Sequence, residues 1–255
     1  MIDIDFYMNV FPIKKELMGG KLMDKRDLFK KFEEFRSKDP VIYNIETTNA
    51  CNMRCQMCPR TTMMTRKVET MNMELFKRIV DQIKPFPSDK WLKWQSFVEK
   101  EYRILRSDMS ENNFFLFVIP KVLVLHGYGD PLLDRRMPER VALLTRKGIP
   151  SYFSCNPANI NVEMTEKMFG NGLGYIKYSI ESVDDCRHKK IRGKASDFTQ
   201  SFRKILELLE LKRKYGYKTV IVITMLNLDY SDQAREFEKL KEQFLGKDVY
   251  IYLKS

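Results

Sequence analysis

Short apolar runs alternate with longer segments of helical periodicity along most of the chain. The runs are rich in Val, Ile, Tyr and Phe, as expected for strands buried on both faces of a parallel sheet. Between them, apolar residues recur every three or four positions, which is typical of amphipathic helices. The predicted strands span residues 41–47, 121–126, 151–155, 175–180, 218–224 and 249–253.

Six units of strand followed by helix predict an α/β fold with parallel strands and crossover helices. Six units are too few for a closed eight-stranded barrel. A curved, open, partial (β/α)6 barrel is therefore the favoured architecture, and a flavodoxin-like doubly wound sheet is the alternative. In a barrel of this kind the active site is expected at the carboxyl ends of the strands.

Two segments interrupt the alternation and define the predicted organisation. Residues 1–39 form a basic, partly helical N-terminal extension broken at Gly19 and Gly20, and residues 40–255 form the barrel. Residues 86–120 make an unusually long insertion between the first helix and the second strand, with Trp91, Trp94 and Val98 at helical spacing. This insertion is either a helix packed outside the barrel or a lid or docking element, since long insertions are often functional.

Composition narrows the classes of protein. The chain has 255 residues, of which 44% are hydrophobic, and a formal net charge of +11, which favours anionic partners or a solvated basic face. No secretory signal and no apolar run of roughly 20 residues is present, so no membrane partner is expected and a cytoplasmic location is predicted. In a reducing compartment, five cysteines indicate metal binding or catalysis rather than disulfides.

Three of the cysteines follow the first predicted strand with the spacing C-x3-C-x2-C, at Cys51, Cys55 and Cys58. Thiolates select iron–sulfur clusters or zinc. A structural zinc site normally needs four protein ligands, whereas a cubane cluster held by three cysteines keeps one iron open for another ligand. A zinc-stabilised basic nucleic-acid-binding protein remains the alternative, although no known nucleic-acid module is visible and nucleic acid is not an expected partner.

Residues 51–60 resemble the signature loop of the radical S-adenosylmethionine (radical SAM) superfamily, in particular the branch that often carries a C-terminal SPASM-type auxiliary-cluster domain. The resemblance implies a [4Fe–4S] cluster on Cys51, Cys55 and Cys58, with S-adenosylmethionine on the open iron. It implies reductive cleavage to a 5′-deoxyadenosyl radical that takes hydrogen from a substrate. The family usually has an aromatic residue before the third cysteine; here Met57 stands there and is expected to contact the adenine.

Further motifs resemble the family's binding segments for S-adenosylmethionine. Tyr128, Gly129 and Asp130, after the second predicted strand, match its Gly-Gly-Glu-Pro segment, which faces the methionine amino group. Ser179 and Glu181 lie two residues apart and therefore share one strand face. The resemblance implies that such residues bind the ribose or the methionine moiety.

The same logic extends to residues after the fourth strand and at other strand ends. Arg192 lies in a segment similar to the family's His-x-x-Ile-Arg-Gly stretch and is a partner for the methionine carboxylate. Asn156 and Asn227 follow the third and fifth predicted strands and are further candidates. Cys186, or alternatively Cys155, is a candidate donor of hydrogen to a substrate radical.

The resemblance implies an oxidoreductase-like enzyme acting on an unidentified polar substrate: a sugar, a nucleotide or a peptide. It also implies an electron donor such as flavodoxin or ferredoxin. No cysteine-rich segment follows the sixth predicted strand. We therefore expect either a single-cluster enzyme or a fragment of a longer protein, and an inactive fragment of a radical SAM enzyme stays among the alternatives.

Overall fold

A five-stranded parallel sheet forms the centre of the computed structural model, which describes residues 2–38 and 41–255. Its strands are β1 (Leu123–Val124), β2 (Ser151–Cys155), β3 (Tyr175–Ser179), β4 (Val220–Leu226) and β5 (Val249–Lys254). Within those ranges the helices are α1 (Ile4–Met18), α2 (Lys25–Phe35), α3 (Pro59–Met63), α4 (Met73–Val80), α5 (Ser88–Glu101), α6 (Glu111–Phe117), α7 (Met137–Arg146), α8 (Val162–Gly170), α9 (Asp185–Arg192), α10 (Phe198–Tyr215) and α11 (Gln233–Gln243), with 3₁₀ turns at Ile119–Lys121, Pro131–Leu133 and Pro157–Asn159.

The strands follow one another in the order β1-β2-β3-β4-β5, and every adjacent pair is parallel. At least one helix connects each strand to the next. A doubly wound sheet would reverse its strand order at a switch point, and this sheet does not. The structure therefore confirms the open, partial barrel and excludes the flavodoxin-like alternative.

The first predicted strand, 41–47, is reduced to a single parallel bridge between Asn44 and Val124. Two backbone hydrogen bonds, each 2.8 Å long, hold residues 43–45 beside β1. The ladder stops there because the next residues pair elsewhere: Met71 N donates to Thr47 O, and Thr48 bridges Thr70 in antiparallel sense. Residues 43–45 thus occupy the sixth strand position of the partial barrel, but they pair with β1 through a single bridge and not through a full strand.

Each buried strand carries two different apolar faces. The outer face, which includes Ile176 and Ile223, packs against the crossover helices in the main core, together with Val141 of α7 and Leu208 of α10. The inner face forms a separate cluster that fills the barrel interior. Alternation along strands buried on both sides explains why their sequences read as continuous apolar runs. The buried members of this interior cluster are Phe114, Val118, Val122, Val124, Tyr152, Val222 and Tyr252.

The insertion 86–120 contains two helices with different positions. Helix α5 packs on α1 through Trp94 and Val98, which are buried with Ile4, so the extension and the insertion share one satellite core. Helix α6 instead sends Phe114 into the barrel interior, where its ring lies 5.3 Å from that of Tyr152. The expectation of a helix outside the barrel thus describes α5 and misses α6.

The N-terminal extension is helical as expected, and α1 ends at Gly19. The predicted boundary with the barrel falls on residues 39 and 40, which lie outside the described residues. In the part of the chain that the structure describes, no helix is both long and apolar enough to cross a bilayer.

Phe114 should be the main anchor of the insertion. Replacing Phe114, which is 1% exposed, with Ala removes the ring that fills the interior, and a loss of about 3–5 kcal/mol in the free energy of unfolding is expected. The matched control is Phe115→Ala on the same helix, where the ring is 42% exposed and a loss below about 1 kcal/mol is expected. Urea titration measures both, and equal losses would show that α6 does not anchor through Phe114.

Candidate active site

The three motif cysteines line one cavity of about 290 Å³ at the carboxyl ends of the strands. This is where the partial barrel was expected to hold its active site. The lining brings together most of the side chains singled out in the sequence, from segments far apart along the chain. Those residues are Cys51, Cys55, Met57, Cys58, Tyr128, Gly129, Asp130, Asn156, Ser179 and Arg192.

The cysteine loop (residues 51–58) is held in shape by its own turn. Cys58 N donates to Cys55 O at 3.2 Å, and the Thr61 hydroxyl donates to the same carbonyl at 3.2 Å. Cys58 then becomes the N-cap of α3, with Pro59 at the first helical position. All three thiols are free. The turn thus presents three unpaired sulfurs toward one cavity.

The thiolate forms of Cys51 and Cys55 need a nearby positive charge. Burial raises the pKa of the Cys51 thiol and of the Cys55 thiol. Arg192 opposes that rise at Cys55, because its Nη1 lies 3.8 Å from Cys55 Sγ. Cysteine binds metals as the thiolate, and burial disfavours that charged form. The positive charge of a bound metal centre would therefore be needed to stabilise the thiolates.

The end of helix α9 holds the cysteine loop from outside. Arg54 N donates to Arg192 O at 3.3 Å, and Gln56 N donates to Ile191 O at 2.9 Å. The loop therefore satisfies carbonyls that the helix end leaves without intrahelical partners. Gly193 follows with φ +102°, and a Cβ there would lie 2.9 Å from Arg54 N. Only glycine combines this backbone conformation with so close an approach.

The Arg192 side chain is shared between the loop and the sheet. It forms an ion pair with Glu181, while its Nε is buried without a hydrogen-bond partner. Glu181 is fully buried, accepts from Leu226 N at 2.8 Å and is outside the cavity lining. Of the two residues nominated on this strand, Ser179 lines the cavity, whereas Glu181 contacts Arg192 behind the lining.

The Tyr128–Asp130 segment is held closely against the strand that precedes the cysteine loop. A Cβ on Gly129 would lie 2.0 Å from Thr48 O, so only glycine allows the two backbone segments to approach so closely. Both carboxylate oxygens of Asp130 are engaged, by Leu132 N at 3.0 Å, Asn156 N at 3.0 Å and Asn159 Nδ2 at 2.8 Å. Asp130 thus ties strand ends together while it lines the cavity.

A buried polar chain continues from Asn156 to the end of β3. The Asn156 amide donates to Ser196 Oγ at 3.0 Å, and Ser196 Oγ lies 2.8 Å from His188 Nε2. The other ring nitrogen, Nδ1, accepts from Glu181 N at 3.2 Å. Burial lowers the pKa of His188 to about 4, so the ring is neutral at pH 7 and its Nε2 carries the proton donated to Ser196.

Two candidates from the sequence lie away from the cavity. Cys186 is exposed on α9, and Asn227 is exposed with its side chain accepting from Asp229 N. Neither belongs to the lining, so the hydrogen-donor role of Cys186 loses its geometric basis. Cys155 does line the cavity, but its thiol points to Lys177 O at 3.7 Å, and burial raises its pKa well above the usual range.

The cavity also contains polar residues that the sequence analysis did not nominate. His126 accepts from Ser154 N at 3.1 Å, and burial lowers its pKa to about 3. Lys177 sits two residues before Ser179 on β3, so strand alternation was a signal that could have found it. The full set of additional polar lining residues is His126, Ser154, Lys177, Thr224 and Lys254.

The donor set fits a cluster better than a single ion. Within residues 2–38 and 41–255, no three His, Cys, Asp or Glu side chains are arranged around one metal-ion position. A cubane distributes its thiolate ligands over different iron atoms, so three cysteines around one cavity suit it. The unpartnered Arg192 Nε provides a buried donor beside them for an anionic group of a bound cosubstrate.

Comparison with known proteins agrees with this geometry. The model of the radical SAM superfamily matches residues 112–240, just over half of the chain. That match begins after the cysteine loop, so the assignment of the cluster ligands depends on the site itself. In structure, the chain is similar to SuiB from Streptococcus suis bound to S-adenosylmethionine, with a TM-score of 0.57, 11% identity and coverage of 98% of this chain and 52% of that one.

Two curated proteins are similar in sequence. The Fe-coproporphyrin III synthase of Methanosarcina barkeri is 21% identical over 85% of this chain and 44% of its own length. The AdoMet-dependent heme synthase of Nitratidesulfovibrio vulgaris is 22% identical over 69% of this chain and 39% of its own length. The chain thus matches less than half the length of either relative.

Gly193 should control whether the cysteine loop can be assembled. Gly193→Ala forces a methyl group against Arg54 N at a positive φ, so the loop must move off α9. At least a fivefold drop in bound iron and sulfide is expected after anaerobic reconstitution. Gly216→Ala is the matched control, because Gly216 has φ +68° but open space around its Cβ position. If both variants bind iron like the wild type, α9 does not hold the loop.

The two buried histidines should make the protein sensitive to mild acid. Their folded pKa values, about 3 for His126 and about 4 for His188, lie below the ordinary value of about 6.5, so the unfolded chain takes up protons first. Their stabilising contribution is complete above pH 6.5 and is lost as pH falls. Each histidine should lower the free energy of unfolding by about 2 kcal/mol as the pH falls from 6.5 to 5.

The difference between the wild type and His188→Asn isolates this effect from other titrating groups. Asn keeps an acceptor for Glu181 N but does not titrate. Between pH 7 and pH 5, the free energy of unfolding of the variant should therefore fall by about 2 kcal/mol less than that of the wild type. Urea titrations of the apoprotein at pH 7, 6 and 5 measure the difference. Parallel curves for the two proteins would contradict a neutral, buried His188.

Proposed function

This chain belongs to the radical SAM superfamily, and we propose that it reductively cleaves S-adenosylmethionine and takes a hydrogen atom from a polar substrate inside the partial barrel. The observation that carries the proposal is the shared cavity of Cys51, Cys55 and Cys58 at the carboxyl ends of the strands. When bound and reduced, the [4Fe–4S] cluster supplies the electron that cleaves S-adenosylmethionine to methionine and a 5′-deoxyadenosyl radical.

The chain's own residues have distinct proposed roles. Cys51, Cys55 and Cys58 hold the cluster, and Arg192 offers its buried Nε to the methionine carboxylate. Met57 gives a soft apolar contact to the adenine. The remaining proposed contacts to S-adenosylmethionine come from lining residues with polar or backbone groups: Tyr128, Gly129, Asp130, Asn156 and Ser179.

Glu181 is proposed to act through Arg192. Its ion pair fixes the guanidinium beside Cys55, and its second oxygen is bound to Leu226 N, so it has little freedom to follow another ligand. Charge on Arg192 therefore stays compensated whether or not an anion is bound. This arrangement supports a preorganised site for the cosubstrate carboxylate.

The substrate class is also a proposal. A polar substrate such as a sugar, a nucleotide or a peptide suits the polar lining, and the names of the two curated relatives add a porphyrin to the compounds worth assaying. The relatives are much longer than the matched segment, so their activities are not transferred as a whole. A low-potential donor such as flavodoxin or ferredoxin is the proposed source of the electron.

The decisive experiment is cleavage of S-adenosylmethionine by the reconstituted chain. Reduction with dithionite under anaerobic conditions should release 5′-deoxyadenosine, and Cys58→Ala should lower the yield at least 100-fold because the cluster loses a ligand. Cys186→Ala is the matched control, since this cysteine is exposed outside the cavity, and it should retain the wild-type yield.

Each other outcome of this experiment has a defined meaning. Equal yields from Cys58→Ala and the wild type would overturn the cluster assignment. A cluster that forms without releasing 5′-deoxyadenosine would favour the inactive fragment over an enzyme complete in itself. A loss in Cys186→Ala as large as in Cys58→Ala would mean that the wrong cysteines have been assigned.

A further inference from the structure

A lysine side chain lies in the interior of the partial barrel without an anionic partner. Lys177 is on β3, is only 5% exposed and lines the cavity. Its Nζ lies 5.7 Å from the ring centre of Phe114 and 5.8 Å from that of Tyr152. Within residues 2–38 and 41–255 it has no ion pair and its ammonium group has no hydrogen bond, whereas the similarly buried Lys212 pairs with Asp248.

The surroundings of Lys177 are positively charged. Lys254 on β5 lines the same cavity, also without an ion pair in the described part of the chain, and Arg192 adds a further cation. Glu111 attracts Lys177 from a distance, but its carboxylate accepts from Ser255 N at 2.7 Å. Burial and then Lys254 lower the pKa of Lys177 to about 7. An unpaired buried charge is costly, so an anion bound here would relieve it.

A second polar group in this interior is also unsatisfied. Among the residues that the structure describes, none forms a hydrogen bond with the buried hydroxyl of Tyr252. Tyr252 lies on the same face of β5 as Lys254, two residues later. Its ring packs on Phe114, the residue that also lies under Lys177. Buried hydroxyls nearly always find a partner, so an orphan here indicates a missing polar ligand or water.

Position separates Lys177 from the proposed site of S-adenosylmethionine. Lys177 precedes Ser179 by two residues on one strand face, which puts it roughly 6–7 Å deeper in the barrel. The methionine carboxylate already has a proposed partner in Arg192, whose Nε is free. Lys254 instead pairs with Leu226 and lies nearer the carboxyl ends of the strands, while it lines the same cavity. Lys177 is therefore the deeper cation that stays available to a second molecule.

We propose that Lys177, together with Lys254, binds an anionic group of the substrate, a carboxylate or a phosphate, inside the partial barrel. The inference rests on the proposed function, since it assigns the substrate class of that same cavity. Two ammonium groups recognise anions as point charges and suit either chemistry. Sugar phosphates, nucleotides and substrates with carboxylates all meet this requirement, whereas neutral sugars do not.

The test uses the reconstituted full chain with acetate and inorganic phosphate as separate probes. Thermal unfolding is followed as each anion is titrated at constant ionic strength. A saturable rise in Tm is expected for at least one anion, with the half-saturation concentration increased at least tenfold in Lys177→Met. Lys214→Met, which removes an exposed lysine on α10, is the matched control and should bind like the wild type. Lys177→Arg keeps the charge and should retain binding.

The outcomes separate the sources of the anion and the two proposals. Saturation by acetate alone indicates a carboxylate substrate, and saturation by phosphate alone indicates a phosphate ester. No saturation, equal affinity in Lys177→Met, or loss of the effect when S-adenosylhomocysteine is bound would overturn the anion site. Release of 5′-deoxyadenosine is measured independently, so an anion-binding chain that makes none would sink only the proposed function.

Discussion

The hold of helix α9 on the cysteine loop is the constraint on which the candidate site depends. Two carbonyls at the end of α9 accept from Arg54 N and Gln56 N, and Gly193 lets the two backbones meet. The same helix end provides Arg192, which reaches Cys55 and is fixed by Glu181. One contact therefore sets both the positions of the sulfurs and the position of the nearest cation. A cluster that needs three converging thiolates can then form without ordering a free loop.

The strand ends beneath this loop are tied by a saturated polar network. Asp130, Asn156, Ser196 and His188 form hydrogen bonds with one another or with backbone, and these bonds fix the strand ends relative to one another. Fully satisfied buried networks rigidify their surroundings. Polar groups outside this network that have no partner therefore indicate where a ligand would bind, because a hydrogen bond or ion pair to them would lower the free energy. Within the described residues of this cavity, Arg192 Nε has no hydrogen-bond partner, and neither Lys177 nor Lys254 has an ion pair.

The sequence predicted the architecture, and it nominated the cluster residues, from local signals. Alternating periodicity revealed the strands, and the spacing of Cys51, Cys55 and Cys58 is compact enough to be read without a structure. The hydrogen-bond partners of Glu181 and Asp130 could not be predicted because they lie far along the chain, Leu226 and Asn156 among them. The first strand shrank to a bridge for the same reason, since residues 47–49 pair with 69–71. Lys177 was missed although its register with Ser179 was visible.

The insertion contributes to the interior of the partial barrel, which the periodicity of its sequence did not predict. Helix α6 places Phe114 among the tyrosines of β2 and β5, and Tyr250 secures the helix by accepting from Ser110 N at 2.9 Å. Without that ring the interior would extend below Lys177 as an open, wet space. With it, the lysine ammonium lies over aromatic faces that stabilise a cation but cannot neutralise it. The insertion thus closes the interior beneath the cavity in which the cluster, the cosubstrate and the substrate anion are proposed to bind.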